Sequence, residues 1–138
     1  MSDPKPPLTA DIVWSERQQF GVTTGSNAFV LDGDGVMGPS PMELMASSVA
    51  GCMAIDVVLI LQKGRHPLQA LRASFSGDRA ADPPRRFTSI DIHFQLTGNV
   101  PDEAVQRAID LSREKYCSAW NSMRQDIQFT TRFTITRE

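Results

Sequence analysis

The run Ser40-Pro41-Met42-Glu43-Leu44, continuing through Gly51-Cys52-Met53-Ala54-Ile55-Asp56 to Leu61-Gln62-Lys63-Gly64, decides the fold. Ser40 suits a helix N-cap. Pro41 suits the first helical position because it has no N–H to satisfy, and Glu43 stands where a capping-box carboxylate reaches back to the cap. Gly64 supplies the stop. Between Glu43 and Lys63 the only charged residue is Asp56, and Leu, Met, Val and Ile fall on every side, so the pattern predicts a helix buried nearly all round. At ~1.5 Å per residue it is roughly 35 Å long, more than a small domain covers by itself, and a second subunit is the expected cover. A membrane span is disfavoured: Ser47, Ser48, Gly51 and Asp56 interrupt the apolar run, which ends in Gln62, Lys63 and Arg65.

Upstream, Leu8 to Glu16, Phe20 to Thr24 and Ala28 to Leu31 read as three strands of an antiparallel meander, closed by the turn-rich Asp32-Gly33-Asp34-Gly35. That Asp-x-Asp pattern has the start of a calcium loop, but Val36 and Met37 occupy places that need an oxygen ligand and a glycine, so a plain turn is expected. Downstream, Leu68 to Phe75 alternates as a half-buried strand, Ser76 to Pro84 reads as a polar loop, and Phe87 to Thr97 alternates again with Ile90, Ile92, Phe94 and Leu96 on one face. Pro101-Asp102-Glu103 opens a second helix with Val105, Ile109, Ser112 and Tyr116 as its inward stripe, and Ile127 to Thr136 is a closing strand. The order predicts an α+β fold, antiparallel sheet packed on a long buried central helix plus a second helix.

Over 138 residues no Pro/Gly/Ser-rich linker separates compositionally distinct halves, so a single domain over residues 1–138 is expected, residues 1–7 forming a disordered tail. A formal net charge of -2 with scattered charges offers no footprint for nucleic acid or an anionic membrane. The polar, proline-rich start lacks a signal-peptide core, which points to the cytoplasm. The two cysteines are therefore first read as thiols.

Cys52 sits mid-helix, where packing alone would accept it. It lies too far from Ser40 for the helix dipole to lower its pKa, so a reactive Cys52 needs a cation delivered by another element. Arg17, Arg85 and Arg86 are the candidates, each also readable as a solvated residue. Asp56, on the same helix face as Cys52, is either a buried partner for one of these arginines or a support of the site, with the salt-bridge role favoured. Cys117, at the end of the second helix, could approach Cys52 if that helix packs across the first. His66 and His93 do not converge with cysteines or carboxylates at metal spacing, and no phosphate loop, nucleophile elbow or dinucleotide fingerprint occurs, so no metal or cofactor is expected.

Ser40-Pro41-Met42-Glu43-Leu44 with Ala50-Gly51-Cys52 and Ile55-Asp56-Val57-Val58, the strand Phe87 to Phe94, and Leu111-Ser112-Arg113-Glu114-Lys115-Tyr116-Cys117-Ser118 together resemble the OsmC/Ohr family (osmotically inducible protein C and organic hydroperoxide resistance proteins), nearest its YhfA-like branch. The resemblance covers nearly the whole chain from about Asp11. It implies an intertwined homodimer, two central helices wrapped by antiparallel sheets, and thiol-dependent peroxidase chemistry. Cys52 matches the peroxidatic cysteine and Cys117 the resolving one, with a small thiol or lipoyl group as reductant and no cofactor. The family's activating pair is an arginine from the N-terminal strands, for which Arg17 is the nearest candidate, and a glutamate directly after the proline. That column holds Met42 here; Glu43, one place over, is accounted for by capping. The alternative implied by this departure is a non-peroxidase homodimer binding a small thiol, persulfide or apolar ligand at the subunit interface. A third reading is that the cysteines merely pack.

Overall fold

The computed structural model describes residues 3–137. The element order is β1 (Asp11–Glu16), β2 (Gln19–Thr24), β3 (Asn27–Asp32), α1 (Pro41–Lys63), β4 (Leu68–Arg79), β5 (Phe87–Gly98), α2 (Asp102–Leu111), a π-helical turn (Ser112–Tyr116), α3 (Ser118–Asn121) and β6 (Gln128–Thr136). This is the α+β class. The chain forms two compact units, Met1–Met45 and Ala46–Glu138, and the boundary falls inside α1. Of the tail expected over residues 1–7, residues 1–2 lie outside the described residues, and residues 3–7 are exposed and carry no helix or strand.

In the N-terminal unit, β1, β2 and β3 pair antiparallel in chain order, as the meander pattern predicts. The loop after β3 closes on Asp32, which is buried and whose carboxylate accepts the backbone N–H groups of Asp34 at 2.9 Å, Val36 at 3.3 Å and Met37 at 3.0 Å. The amide of Met37, then that of Asp34, does most to hold this carboxyl below its usual range. Its oxygens are thus spent on the loop, which explains the Asp-x-Asp pattern as turn chemistry. The capping box at the start of α1 forms as read: Ser40 N–H donates to Glu43 Oε1 at 2.9 Å, and Glu43 N–H to Ser40 Oγ at 3.2 Å.

The other end of α1 closes differently from the expectation. The left-handed residue is Arg65, at φ 61°, not Gly64; His66 N–H donates to the Leu61 carbonyl at 3.0 Å across the turn. Gly64 lies under the His66 ring, which a Cβ there would meet at 3.0 Å and have to displace. The burial of α1 is also narrower than expected. Val49, Ala50, Met53, Val57 and Leu61 form one buried stripe at helical spacing, while Ile55 and Leu59 are 61% and 58% exposed. By length and composition α1 could cross a bilayer, but that stripe is core: Met53 and Val57 have no exposed surface.

In the C-terminal unit the sheet order is β4-β5-β6, and here the all-antiparallel expectation needs correction. β4 pairs antiparallel with β5, whereas β5 and β6 run parallel. The reason is the connection: a chain that leaves β5 through α2 and α3 before pairing again makes a crossover, which returns a parallel strand. β4 is longer than its pattern suggests, because the stretch from Ser76 to Arg79 pairs with β5. Gly77 made this stretch read as loop. It stands in register with inward Phe75, and a Cβ on it would come within 3.0 Å of the Phe75 and Phe87 rings, which fill the space in edge-to-face contact at 5.4 Å between centroids. Ile90, Ile92, Phe94 and Leu96 of β5 are buried, with Asp91 and His93 on the outer face bonded to Arg132 and Thr134 of β6.

Candidate dithiol site

The site is built from two helical elements of the C-terminal unit. Cys52 and Asp56 are one turn apart on α1, so they share a face beside the buried Met53–Val57 stripe, and both are half-buried. Cys117 comes from the end of the second helix, where the chain departs from α geometry. α2 gives way to the π-helical turn at Ser112, and Cys117 N–H donates to the Ser112 carbonyl at 2.7 Å, five residues back. Wider winding shifts the inward stripe by one residue. Val105, Ala108, Ile109 and Ser112 are buried as an α pattern predicts, but Cys117 then takes the inward place expected for Tyr116, which is 49% exposed.

Cys117 is held on every side. Its backbone is extended, its sulfur accepts the Trp120 N–H at 3.3 Å as the cap of α3, and its carbonyl accepts the Asn121 side-chain amide at 2.8 Å. Trp120 in turn packs edge-on against Phe129 of β6, at 4.3 Å between centroids. Both cysteines are free thiols, and the Cys52 thiol neighbours that of Cys117. Burial, above all, pushes the Cys117 thiol up to about 11; the neighbouring Cys52 thiol and the charge of Asp56 push the same way, and the Trp120 amide opposes them.

A second bond ties the same elements together. Ser112 Oγ donates to Asp56 Oδ2 at 2.7 Å, and Ser112 has no exposed surface. Asp56 is therefore satisfied by a hydroxyl, where an arginine was expected. Among the described residues no salt bridge reaches it. A half-buried carboxylate at this depth needs a donor, and the π turn delivers one from the facing helix.

The remaining sequence candidates have local partners of their own. Arg17 occupies the turn between β1 and β2 at φ 51°; its carbonyl accepts the Trp14 indole N–H at 2.9 Å and its charge acts on Asp32. Glu43 stands in the capping box. Arg86 donates to the Phe87 carbonyl at 3.2 Å and its charge acts on Asp126. Among the described residues, no three His, Cys, Asp or Glu side chains gather as a metal site would require. Ser112 is the site residue that the sequence reading placed on a packing stripe only. Its signal was present: a serine on an apolar stripe, facing the one charged residue of a long apolar helix. An open cavity of about 620 Å³ borders the site between the second half of α1 and α2, with Asp56, Leu59, His66, Arg107, Leu111 and Tyr116 among its walls.

The family model described as OsmC-like protein matches residues 32–132. Protein YhfA of Escherichia coli strain K12 is 38% identical over 131 residues, which is 93% of this chain and 98% of that protein. Among solved structures, a protein of Aquifex aeolicus VF5 described only as hypothetical superimposes with a TM-score of 0.90 at 25% identity, covering 97% of this chain and 99% of the other. An organic hydroperoxide resistance protein OsmC from Legionella pneumophila shares the fold at a TM-score of 0.71 and 15% identity, covering 96% and 99%. The matched family region contains Cys52, Asp56, Ser112 and Cys117, and the chain belongs to the OsmC-like protein family, in its YhfA-like branch.

Proposed function

We propose that the protein is a cytoplasmic, homodimeric, thiol-dependent reductase of organic hydroperoxides, with Cys52 peroxidatic and Cys117 resolving. The observation that carries this reading is two neighbouring free thiols of unlike environment, Cys52 half-buried and Cys117 fully buried, on elements tied together by the 2.7 Å Ser112–Asp56 bond. The Legionella protein of the same fold is an organic hydroperoxide resistance protein, which agrees with the assignment. A thiol pushed up to about 11 stays protonated near neutrality, so Cys117 is a poor first attacker and Cys52 is the sulfur that meets peroxide. The Cys52 thiolate attacks the outer peroxide oxygen; the O–O bond breaks, the alkoxide leaves and takes a proton as an alcohol, and Cys52 becomes a sulfenic acid. Cys117 then attacks the Cys52 sulfur, releasing the hydroxyl as water once its own proton is transferred, and a disulfide forms. A low-molecular-weight or lipoyl dithiol reduces that disulfide by exchange, ending oxidised itself. Activation of Cys52 calls for a cation, and Arg17 and Arg86 are the candidates. The homodimer covers the exposed Ile55–Leu59 side of α1.

The test is direct. One equivalent of cumene hydroperoxide added to the reduced protein should yield the Cys52–Cys117 disulfide rapidly by mass spectrometry, and Cys117→Ser should stop at the sulfenic acid. Oxidation no faster than that of a free thiol sinks the proposal. The cavity beside Asp56 and the Met42 at the family's glutamate column favour a second reading, a non-peroxidase dimer that binds a small thiol, persulfide or apolar ligand. Ligand binding that persists in Cys52→Ser, together with slow peroxide oxidation, would select it.

A further inference from the structure

We infer that Ser112 and Asp56 are positioning residues, and that their hydrogen bond sets how closely the two thiols approach. The inference rests on the dithiol reading above and goes beyond it. Four observations converge on Ser112. Its hydroxyl donates to Asp56 at 2.7 Å, and Asp56 is one turn from Cys52 on the same face of α1. Its carbonyl accepts the Cys117 N–H at 2.7 Å. It opens the π-helical turn that brings Cys117, and not Tyr116, to the inward side. It is wholly buried, so on its own side no water competes for either bond. One residue therefore grips both cysteine-bearing elements, by its side chain on α1 and by its backbone on Cys117.

The consequence concerns disulfide formation more than peroxide attack. Closing a disulfide needs the two sulfurs in a narrow geometry, and a free-energy preference for that geometry appears as a raised effective concentration of one thiol at the other. Without the Ser112–Asp56 bond, the π turn can relax toward ordinary α winding, which would rotate Cys117 away from Cys52. Attack of Cys52 on peroxide does not involve Cys117 and should be spared.

The measurement that isolates this is equilibrium with glutathione. Both thiols of the pair are oxidised as one glutathione disulfide is reduced to two glutathiones, so the equilibrium constant reports the effective concentration without any peroxide. Ser112→Ala and Asp56→Ala should lower that constant about tenfold, the scale of one lost hydrogen bond to a charged group. Asp56→Asn, whose amide oxygen still accepts from Ser112, and Ser112→Thr, which keeps the hydroxyl, should stay within about threefold of the unaltered protein. In a Cys117→Ser background, Ser112→Ala should change the rate of Cys52 oxidation by cumene hydroperoxide much less than it changes the glutathione constant, a split that general loosening of the fold would not give. An unchanged glutathione constant in folded Ser112→Ala overturns the inference and leaves the proposed peroxidase intact. If Ser112→Ala does not fold, equal constants for Asp56→Ala and Asp56→Asn overturn it instead. A pair that forms in glutathione as inferred, in a protein that peroxide oxidises slowly, removes the peroxidase and keeps the positioning role. Failure of the unaltered pair to form at all overturns both.

Discussion

The two sheets have three strands each and dispose of their apolar side chains in opposite ways. In the C-terminal sheet, Ile90, Ile92, Phe94 and Leu96 of β5 are at most 1% exposed, and alternation of sequence becomes alternation of burial. In the N-terminal sheet, β1 is exposed along its whole length even though it carries Ile12, Val13 and Trp14, and Phe29 and Val30 of β3 are exposed as well. The difference teaches that one sheet has found its core within the chain and the other carries an apolar surplus. α1 repeats the contrast on a single element, with Met53 and Val57 buried and Ile55 and Leu59 bare. Surplus of that size is what a second copy would cover under the proposed homodimer.

The largest test of this contrast is Phe94→Ala. Emptying that fully buried site should cost about 3–5 kcal/mol of stability in urea unfolding, and a loss near zero would mean that the C-terminal core is not where the burial places it. A smaller effect, of a different kind, is expected on the bare side of α1. Replacing Ile55 and Leu59 together by serine should weaken association by about 2–3 kcal/mol per protomer, from the apolar area no longer covered. Sedimentation should then show monomers where the unaltered protein sediments as a dimer, with the helical circular dichroism retained because the buried stripe is untouched. Monomers for both proteins would remove the second copy as the cover.

Much of this was legible in the residues. The caps of α1, the meander and the alternation of β5 depend on local chemistry and short periods, and Ser40, Pro41, Glu43 and the Ile90–Leu96 run announce them. What was not legible depends on longer range. The parallel β5–β6 pairing is a property of the crossover, and neither strand's own pattern carries it. Gly77 concealed four residues of β4, since a strand position filled by neighbouring rings looks like a break. At the site, both cysteines and Asp56 stood out, but the donor to Asp56 did not. A π turn has no periodic signature over five residues, and reading on at 3.6 residues per turn put Tyr116 inward and left the approach of Cys117 to Cys52 open. Ser112 was seen as packing for the same reason.

The smallest effects are set by pH, and they should fall on opposite limbs in the two units. In the N-terminal unit the Asp32 carboxyl is held below its ordinary 3.8, chiefly by the Met37 and Asp34 amides. Its contribution is present above that value and lost as pH falls through the lowered one, since the unfolded chain then binds the proton first. In the C-terminal unit the Cys117 thiol is raised from 9.0 to about 11, chiefly by burial. There the unfolded chain loses its proton first, so stability should decline between about pH 9 and 11, by on the order of 2 kcal/mol in all. The two tryptophans report the units separately. The Trp14 indole donates to the Arg17 carbonyl in the β1–β2 turn, and the backbone N–H of Trp120 donates to the Cys117 sulfur. With Trp120→Phe, fluorescence should follow the acid limb, and Asp32→Asn should shift it. With Trp14→Phe, fluorescence should follow the alkaline limb, and Cys117→Ser, which has no group titrating there, should flatten it. An alkaline limb that survives Cys117→Ser would mean that the buried thiol is not what makes the C-terminal unit sensitive to base.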